Sequence, residues 1–254
     1  MDPMTKEMFL RNLMFYGEEG FARLQESSVA VVGLGGVGSF AAEALVRAGI
    51  GKLRIIDCDI LKATDVNRHL LALSTNLDIS KVEAGKFRLL AINPDLQLDA
   101  RHEFFHFDTA EELITQDLDF VVDAIDSMNP KAELIRYCTE QDIRIISALG
   151  SSCRSDPFAL RLTTLNQTAN CPLARALRRL LRRKKVVADP PVLYSMELPI
   201  TAHDVEGMPR SLESVGAYSR GRKRQALPSI STLPGIVGLM VANYVIFELL
   251  KDCR

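Results

Sequence analysis

The chain has 254 residues, 47% hydrophobic and 25% charged, with a formal net charge of −1. This is ordinary composition for a soluble protein, and a net charge so near zero gives no reason by itself to expect a polyanionic partner. The length suits one large α/β domain, or one domain with an elaborated tail.

The distribution of charge says more. Residues 1–150 hold 15 Lys/Arg against 24 Asp/Glu, and residues 151–254 hold 16 against 8. A basic back half points to a nucleic-acid partner, or to two halves that complement each other across a dimer or intrachain contact. The five cysteines, Cys58, Cys138, Cys153, Cys171 and Cys253, form no C-x-x-C pair. That spacing gives no four-thiolate zinc site, and the odd count without a secretory leader argues for a reducing cytoplasm.

In chain order, residues 1–27 read as a helical arm, from Lys6 to Tyr16 and then from Glu18 to Leu24. Val29–Val32 is the first strand. Four glycines follow, Gly33, Gly35, Gly36 and Gly38, and then a helix over Ser39–Ala48. Strand, tight glycine turn and helix together present free N–H groups and a positive dipole end to a phosphate. The glycines alone do not choose between a dinucleotide and ATP.

Lys52–Asp57 is the second strand and ends in Asp57-Cys-Asp59, where a carboxylate would accept bonds from a ribose hydroxyl. Asp65-Val-Asn67-Arg68-His69 follows. Arg68 offers a forked contact to phosphate oxygens, and Lys81, opening a helix over Ser80–Ile92, is a second phosphate cation. A dinucleotide needs few such cations, whereas a triphosphate whose pyrophosphate must leave needs several, plus a metal. Phe120–Ile125 reads as an apolar strand ending at Asp126, the candidate Mg²⁺ ligand, with Asp123 in the same strand as its competitor.

A helix over Lys131–Glu140 and a strand over Ile143–Ser147 complete a Rossmann-like α/β pattern. Its sheet is mostly parallel, with helices on both faces, an N-terminal helical arm and a C-terminal elaboration. The expected organisation is a single domain over 1–254. Residues 28–150 form its nucleotide-binding core, and 151–254 a substrate and dimer-contact region with a mobile loop at about 199–228.

In the back half, Pro172–Lys185 reads as a basic helix. Arg178, Arg179, Arg182, Arg183, Lys184 and Lys185 are its candidate nucleic-acid contacts, and Arg220–Arg224 is a second basic run. The apolar stretch 233–250 carries Asn243 and Glu248 and reads as a buried or interface helix, with peripheral membrane contact as the alternative.

The order G-x-G-G-x-G, D-x-D, N-R, Lys81 and D-A-I-D-S resembles the ATP-dependent adenylating enzymes related to ubiquitin activation, the ThiF, MoeB and HesA group. Several stretches look like the tRNA threonylcarbamoyladenosine dehydratase branch of that group: Phe21–Leu24, Ala41–Lys52, Asn93-Pro94, Pro130–Cys138, Cys171–Ala174 and Pro228–Pro234. The resemblance implies ATP and Mg²⁺ as cofactors and adenylation of the threonyl carboxylate of the modified base, with ring closure expelling AMP. It assigns the triphosphate to Arg68 and Lys81, the metal to Asp126 and the ribose to Asp57, and counts Asp59, Asn67 and the four turn glycines among the residues that bind ATP. It also implies a homodimer in which Arg11 enters the partner subunit's site, the tRNA anticodon stem-loop as substrate with no DNA, and a place for sulfur-transfer accessory proteins.

Asp65 stands where the group more often has Asn, and His69 where it often has Gln. An added negative charge there would weaken phosphate binding unless it faced away. Three other readings stay open: an adenylating enzyme for a ubiquitin-like sulfur carrier, an NAD-linked oxidoreductase, and a non-catalytic tRNA-binding protein. The missing zinc cysteines argue against the first, and the several phosphate cations against the second.

Overall fold

The computed structural model describes residues 3–206, 211–212, 224–225 and 227–253. The arm is two helices, α1 (Pro3–Met8) and α2 (Leu10–Glu26), with α2 interrupted at Gly17, whose φ of 73° breaks the helical run. Then come β1 (Ser28–Val32), α3 (Gly38–Ala48), β2 (Lys52–Ile56), α4 (Lys81–Ile92), β3 (Gln97–Arg101), α5 (Ala110–Leu113), β4 (Phe120–Asp123), α6 (Met128–Glu140) and β5 (Ile145–Ala148). The back half adds β6 (Leu160–Thr164), α7 (Pro172–Arg183), β7 (Pro191–Ser195), a short antiparallel pair of β8 (Ser211–Leu212) and β9 (Arg224–Gln225), and α8 (Leu233–Leu249).

Seven strands form one sheet in the order β3-β2-β1-β4-β5-β7-β6. All neighbours pair in parallel except β6, which runs antiparallel to β7 at the edge. β6 and β7 therefore extend the sheet of the front half, and no break between sheets falls near residue 150. The strand order reverses between β1 and β4, and this switch point is where an open α/β sheet leaves a crevice for a ligand.

Both faces of the sheet are covered, so central strands can be apolar throughout. Every residue of β1 is buried. One face packs α3, α4 and α8 into a core that includes Leu45, Val82, Val241 and Val245, and the other packs α6 and α7 through Leu134, Ile135, Leu177 and Leu181. The stretch 233–250 is thus chiefly a core helix laid along α3. No helix among the described residues is long and apolar enough to cross a membrane.

β3, β6 and β7 are absent from the sequence reading. β3 and β6 are edge strands with mixed polar and apolar faces, which carry little periodic signal. β3 is held by a cross-strand ion pair: Arg54 Nε lies 2.7 Å from Asp99 Oδ2, its register partner. Arg54 Nη1 also donates to the Leu113 carbonyl (3.0 Å) and to Thr115 Oγ1 (2.8 Å). Arg54→Met should therefore lower stability by about 2 kcal/mol, read as a reduced urea midpoint with an unchanged denaturant slope.

Candidate nucleotide-binding site

The glycine turn sits at the carboxyl end of β1, in the switch-point crevice. Gly33 has φ 92°, and a Cβ on it would lie 2.8 Å from the Ala124 carbonyl oxygen. A Cβ on Gly38, the first residue of α3, would overlap the Gly33 carbonyl. Two glycines are therefore required by the approach of the chain to itself. Gly35 is different, since a Cβ there would meet nothing within 4 Å. Its face of the turn opens outward, where a phosphate could meet the N–H groups at the start of α3.

Asp57, just past β2, holds the turn from beneath. Its Oδ2 accepts from the Leu34 N–H at 2.6 Å and its Oδ1 from the Asp59 N–H at 2.8 Å. Burial raises its pKa and the neighbouring Asp59 adds to this, while the positive charge of Lys81 works the other way. Asp57 so supports the turn that would carry phosphate, besides lying where a ribose is expected.

Lys81 opens α4 behind the N-cap Ser80. Its Nζ lies 3.1 Å from Asp59 Oδ2 and the side chain is nearly buried. Burial opposes its charge, yet Asp57, Asp59 and Asp65 together outweigh that and hold its pKa above the ordinary lysine value. The amine is thus a fixed cation. Asp57, Cys58 and Asp59 bring three donor atoms within 4.8 Å of one another. Lys81 and two backbone N–H groups already engage those carboxylates, so this cluster is the poorer fit for Mg²⁺.

Arg68 adjoins the glycine turn, its Cγ 3.3 Å from where a Gly36 Cβ would stand. Its guanidinium donates to the Thr64 carbonyl (2.7 Å) and to Asn67 Oδ1 (3.0 Å), and lies 3.4 Å from Asp65 Oδ1. Asp65 does not face away: its carboxylate turns toward Arg68 and accepts from the Lys62 N–H. Asn67 Nδ2 donates to the Ser229 carbonyl at 3.0 Å, and the Cys153 N–H donates to the Pro228 carbonyl at 2.8 Å. Segment 228–229 therefore bridges the Arg68 turn and the loop after β5.

Asp126 is exposed and accepts from Ser127 Oγ at 3.1 Å. It does not end the strand as the sequence reading had it. β4 stops at Asp123, whose Oδ1 accepts from the Ile125 N–H (3.1 Å) and turns the chain. Asp126 lies three residues on, in the loop whose Ala124 carbonyl abuts Gly33. One accessible carboxylate beside a phosphate turn is a donor set that suits Mg²⁺, which completes its shell with phosphates and water. Asp123, the competitor, is fully buried against Lys131 and Ser147 and is not accessible to a metal.

Two groups of expected site residues lie elsewhere. Arg11 is exposed on α2, next to Asn12, whose Nδ2 donates to the Arg47 carbonyl in the last turn of α3. That is the far end of the helix from the glycine turn, about 15 Å away. On α7, Ala174, Leu177, Leu180 and Leu181 are buried, and Arg179, Arg182, Arg183 and Lys185 are exposed. Arg178 is half-buried and donates to the Leu165 carbonyl (2.9 Å) and to Thr168 Oγ1, so it also ties the helix down. Lys184 pairs with Glu133 of α6 at 3.2 Å. Cys171 caps α7, its Sγ accepting from the Ala174 N–H. Residues 220–223 of the second basic run and much of the expected loop at 199–228 fall outside the described residues.

The ThiF family model matches residues 9–252. The chain belongs to the ThiF family. Within it, the chain is 36% identical over 247 residues to the Bacillus subtilis tRNA threonylcarbamoyladenosine dehydratase, covering 96% of this chain and 95% of that one. The Escherichia coli enzyme of the same name, in crystal structures with AMP and with ATP, superposes with TM-scores of 0.87 and 0.86. Identity is 27% in both, covering 99% of this chain and 97% of that chain. A Haemophilus influenzae molybdopterin-synthase adenylyltransferase is 28% identical over 179 residues, covering 70% of each chain.

Sequence reasoning missed His69 as more than a departure from the family pattern. It is buried, and its Nδ1 accepts from the Leu71 N–H at 3.1 Å, so the neutral ring carries its proton on Nε2. Burial, helped by the charge of Lys81, pushes its pKa down from 6.5 to about 4, with Asp65 opposing. Unfolding therefore takes up a proton between these values, and stability falls as pH drops through that window. The cost should reach about 3 kcal/mol near pH 4. Urea unfolding of the wild type and His69→Gln at pH 7 and pH 4 should show this difference, with the variant losing less.

Proposed function

We propose that this protein is an ATP-dependent tRNA threonylcarbamoyladenosine dehydratase. The observation that carries this reading is the convergence of the glycine turn, Arg68, Lys81 and the Asp126 loop on one switch-point crevice, in a chain related to such dehydratases along nearly its whole length.

The threonyl carboxylate is a poor electrophile. In the first step one of its oxygens attacks the α-phosphorus of ATP, the bond to the β-phosphate breaks, and pyrophosphate leaves. In the second, the threonylcarbamoyl side chain attacks its own activated carboxyl carbon. The bond to AMP breaks and AMP carries off the carboxylate oxygen, so the base loses one water in total. Ring closure is intramolecular, so holding the chain in the right conformer supplies much of the rate and no protein nucleophile is needed.

Each residue has a part in this. Arg68 and Lys81 stabilise charge building on the departing pyrophosphate. The N–H groups of the glycine turn and the start of α3 bind phosphate oxygens, and Asp57 orients the ribose. Asp126 would hold Mg²⁺, which when bound would supply charge neutralisation at the phosphates. The exposed cations Arg179, Arg182, Arg183 and Lys185 engage the backbone of the anticodon stem-loop without reading its sequence. Arg11, remote from its own crevice, acts across a homodimer. A cytoplasmic location belongs to this reading, because the substrate is tRNA.

Incubation of threonylcarbamoyladenosine-bearing tRNA with the protein, ATP and Mg²⁺, followed by gentle nucleoside mass spectrometry, should give a product lighter by one water. Asp126→Ala should abolish it. No product, together with pyrophosphate exchange driven by a sulfur-carrier protein, would move the assignment to that class.

Arg11→Ala and Asp126→Ala should each be inactive alone. Mixed after subunit exchange, they should recover about a quarter of wild-type activity, since half the dimers carry one intact site. If mixing recovers nothing, Arg11 does not act in trans.

A further inference from the structure

A buried ion pair outside the roles assigned above lies directly beneath the Asp126 loop. Asp123, the last residue of β4, and Lys131, in the first turns of α6, are both fully buried, with Oδ2 and Nζ 2.7 Å apart. Asp123 Oδ2 also accepts from Ser147 Oγ of β5 at 2.6 Å, and Lys131 Nζ donates to the Ala148 carbonyl at 3.1 Å. The other carboxylate oxygen takes the Ile125 N–H. One pair thus joins the ends of β4 and β5, the start of α6 and the loop that carries Asp126.

That loop is held at successive peptide groups. The Ala124 N–H donates to the Val32 carbonyl at 2.9 Å, the Ala124 carbonyl abuts Gly33, and the Ile125 N–H is bound by Asp123. Asp126 is the next residue. Its backbone is therefore fixed relative to the glycine turn, and Asp123 supplies the contact nearest to it. Apolar side chains of similar volume commonly serve stability as well as a buried ion pair or better, so stability alone gives little reason for this pair.

We propose that the Asp123–Lys131 pair, with Ser147, is a positioning device for Asp126. It sets the separation between that carboxylate and the phosphate turn, and so the affinity for the divalent metal of the ATP step. This rests on the reading of Asp126 as the metal ligand. The pair touches neither nucleotide nor metal, and it acts through the Ile125 peptide.

The test is Mn²⁺ binding, followed by electron paramagnetic resonance, to the full-length protein with a non-hydrolysable ATP analogue. Metal-free binding of the same analogue is measured in parallel. The variants are Asp126→Asn, Ser147→Ala, and the double variant Asp123→Asn with Lys131→Met, which removes both charges together and leaves neither buried alone. Asp126→Asn should lose bound Mn²⁺. The double variant should bind Mn²⁺ about tenfold more weakly, and Ser147→Ala should shift in the same direction by less, with metal-free analogue affinity unchanged in both.

If Asp126→Asn binds Mn²⁺ as the wild type does, the metal assignment and this inference fall together. If Asp126→Asn loses the metal while the double variant and Ser147→Ala bind it normally, the assignment stands and the inference is wrong. An equal loss of metal-free analogue binding would also overturn it, because the pair would then be shaping the whole site. Should the double variant not fold, the Ser147→Ala result alone decides in the same way.

Discussion

Gly33 meets the Ala124 carbonyl with no room for a side chain, and this contact joins the two loops of the switch point. One loop leaves β1 toward α3, and the other leaves β4 toward α6. Because they touch through backbone, the N–H groups of the glycine turn and the backbone of the Asp126 loop share one frame. Asp57 adds a second restraint by gripping the Leu34 N–H from the end of β2. A nucleotide then meets a turn that is already shaped, and little ordering entropy remains to be lost on binding.

The rest of the fold serves that frame. α8 lies along α3, with Gly238 close under the Val37 carbonyl, and so backs the turn from the sheet's outer layer. Segment 228–229 runs into α8 after bridging Asn67 and Cys153, which ties the C-terminal helix to the crevice it supports. The arm is anchored at the opposite end. Arg23 pairs with Asp119 at 2.9 Å, and Asp119 also caps the start of β1 through the Ser28 N–H. α2 is therefore fixed where it can present residues outward, away from its own nucleotide site.

Much of this was legible in the sequence because the central strands and their helices are strongly periodic. β1, the glycine turn, α3, β2, α4 and α8 stand where the residue pattern puts them. β3 and β6 were invisible because an edge strand buries only part of one face. Their sequences, Gln-Leu-Asp-Ala-Arg and Leu-Arg-Leu-Thr-Thr, carry no clear run of buried positions. Asp123 offered a signal that went unused: a charge inside a buried parallel strand needs a partner, and Lys131, set among apolar neighbours in α6, was that partner. The distinction between Arg178 and its neighbours on α7 could not be read, since it depends on where the turn around Leu165–Thr168 folds back.

The two cations proposed to meet phosphate do not wait bare in the crevice. Lys81 stands against Asp59, and Arg68 against Asp65, so each already has an internal counter-ion. An entering triphosphate must compete with these carboxylates, and its affinity is the difference between two sets of charged contacts rather than the full strength of one. The same exchange runs backward at the end of the cycle. Once pyrophosphate and AMP had departed, Asp59 and Asp65 would re-engage the cations and leave no desolvated charge behind. If Arg68 and Lys81 carry the phosphates, this arrangement would exchange some tightness of nucleotide binding for easier release, with Asp65 adding to that exchange through its pair with Arg68.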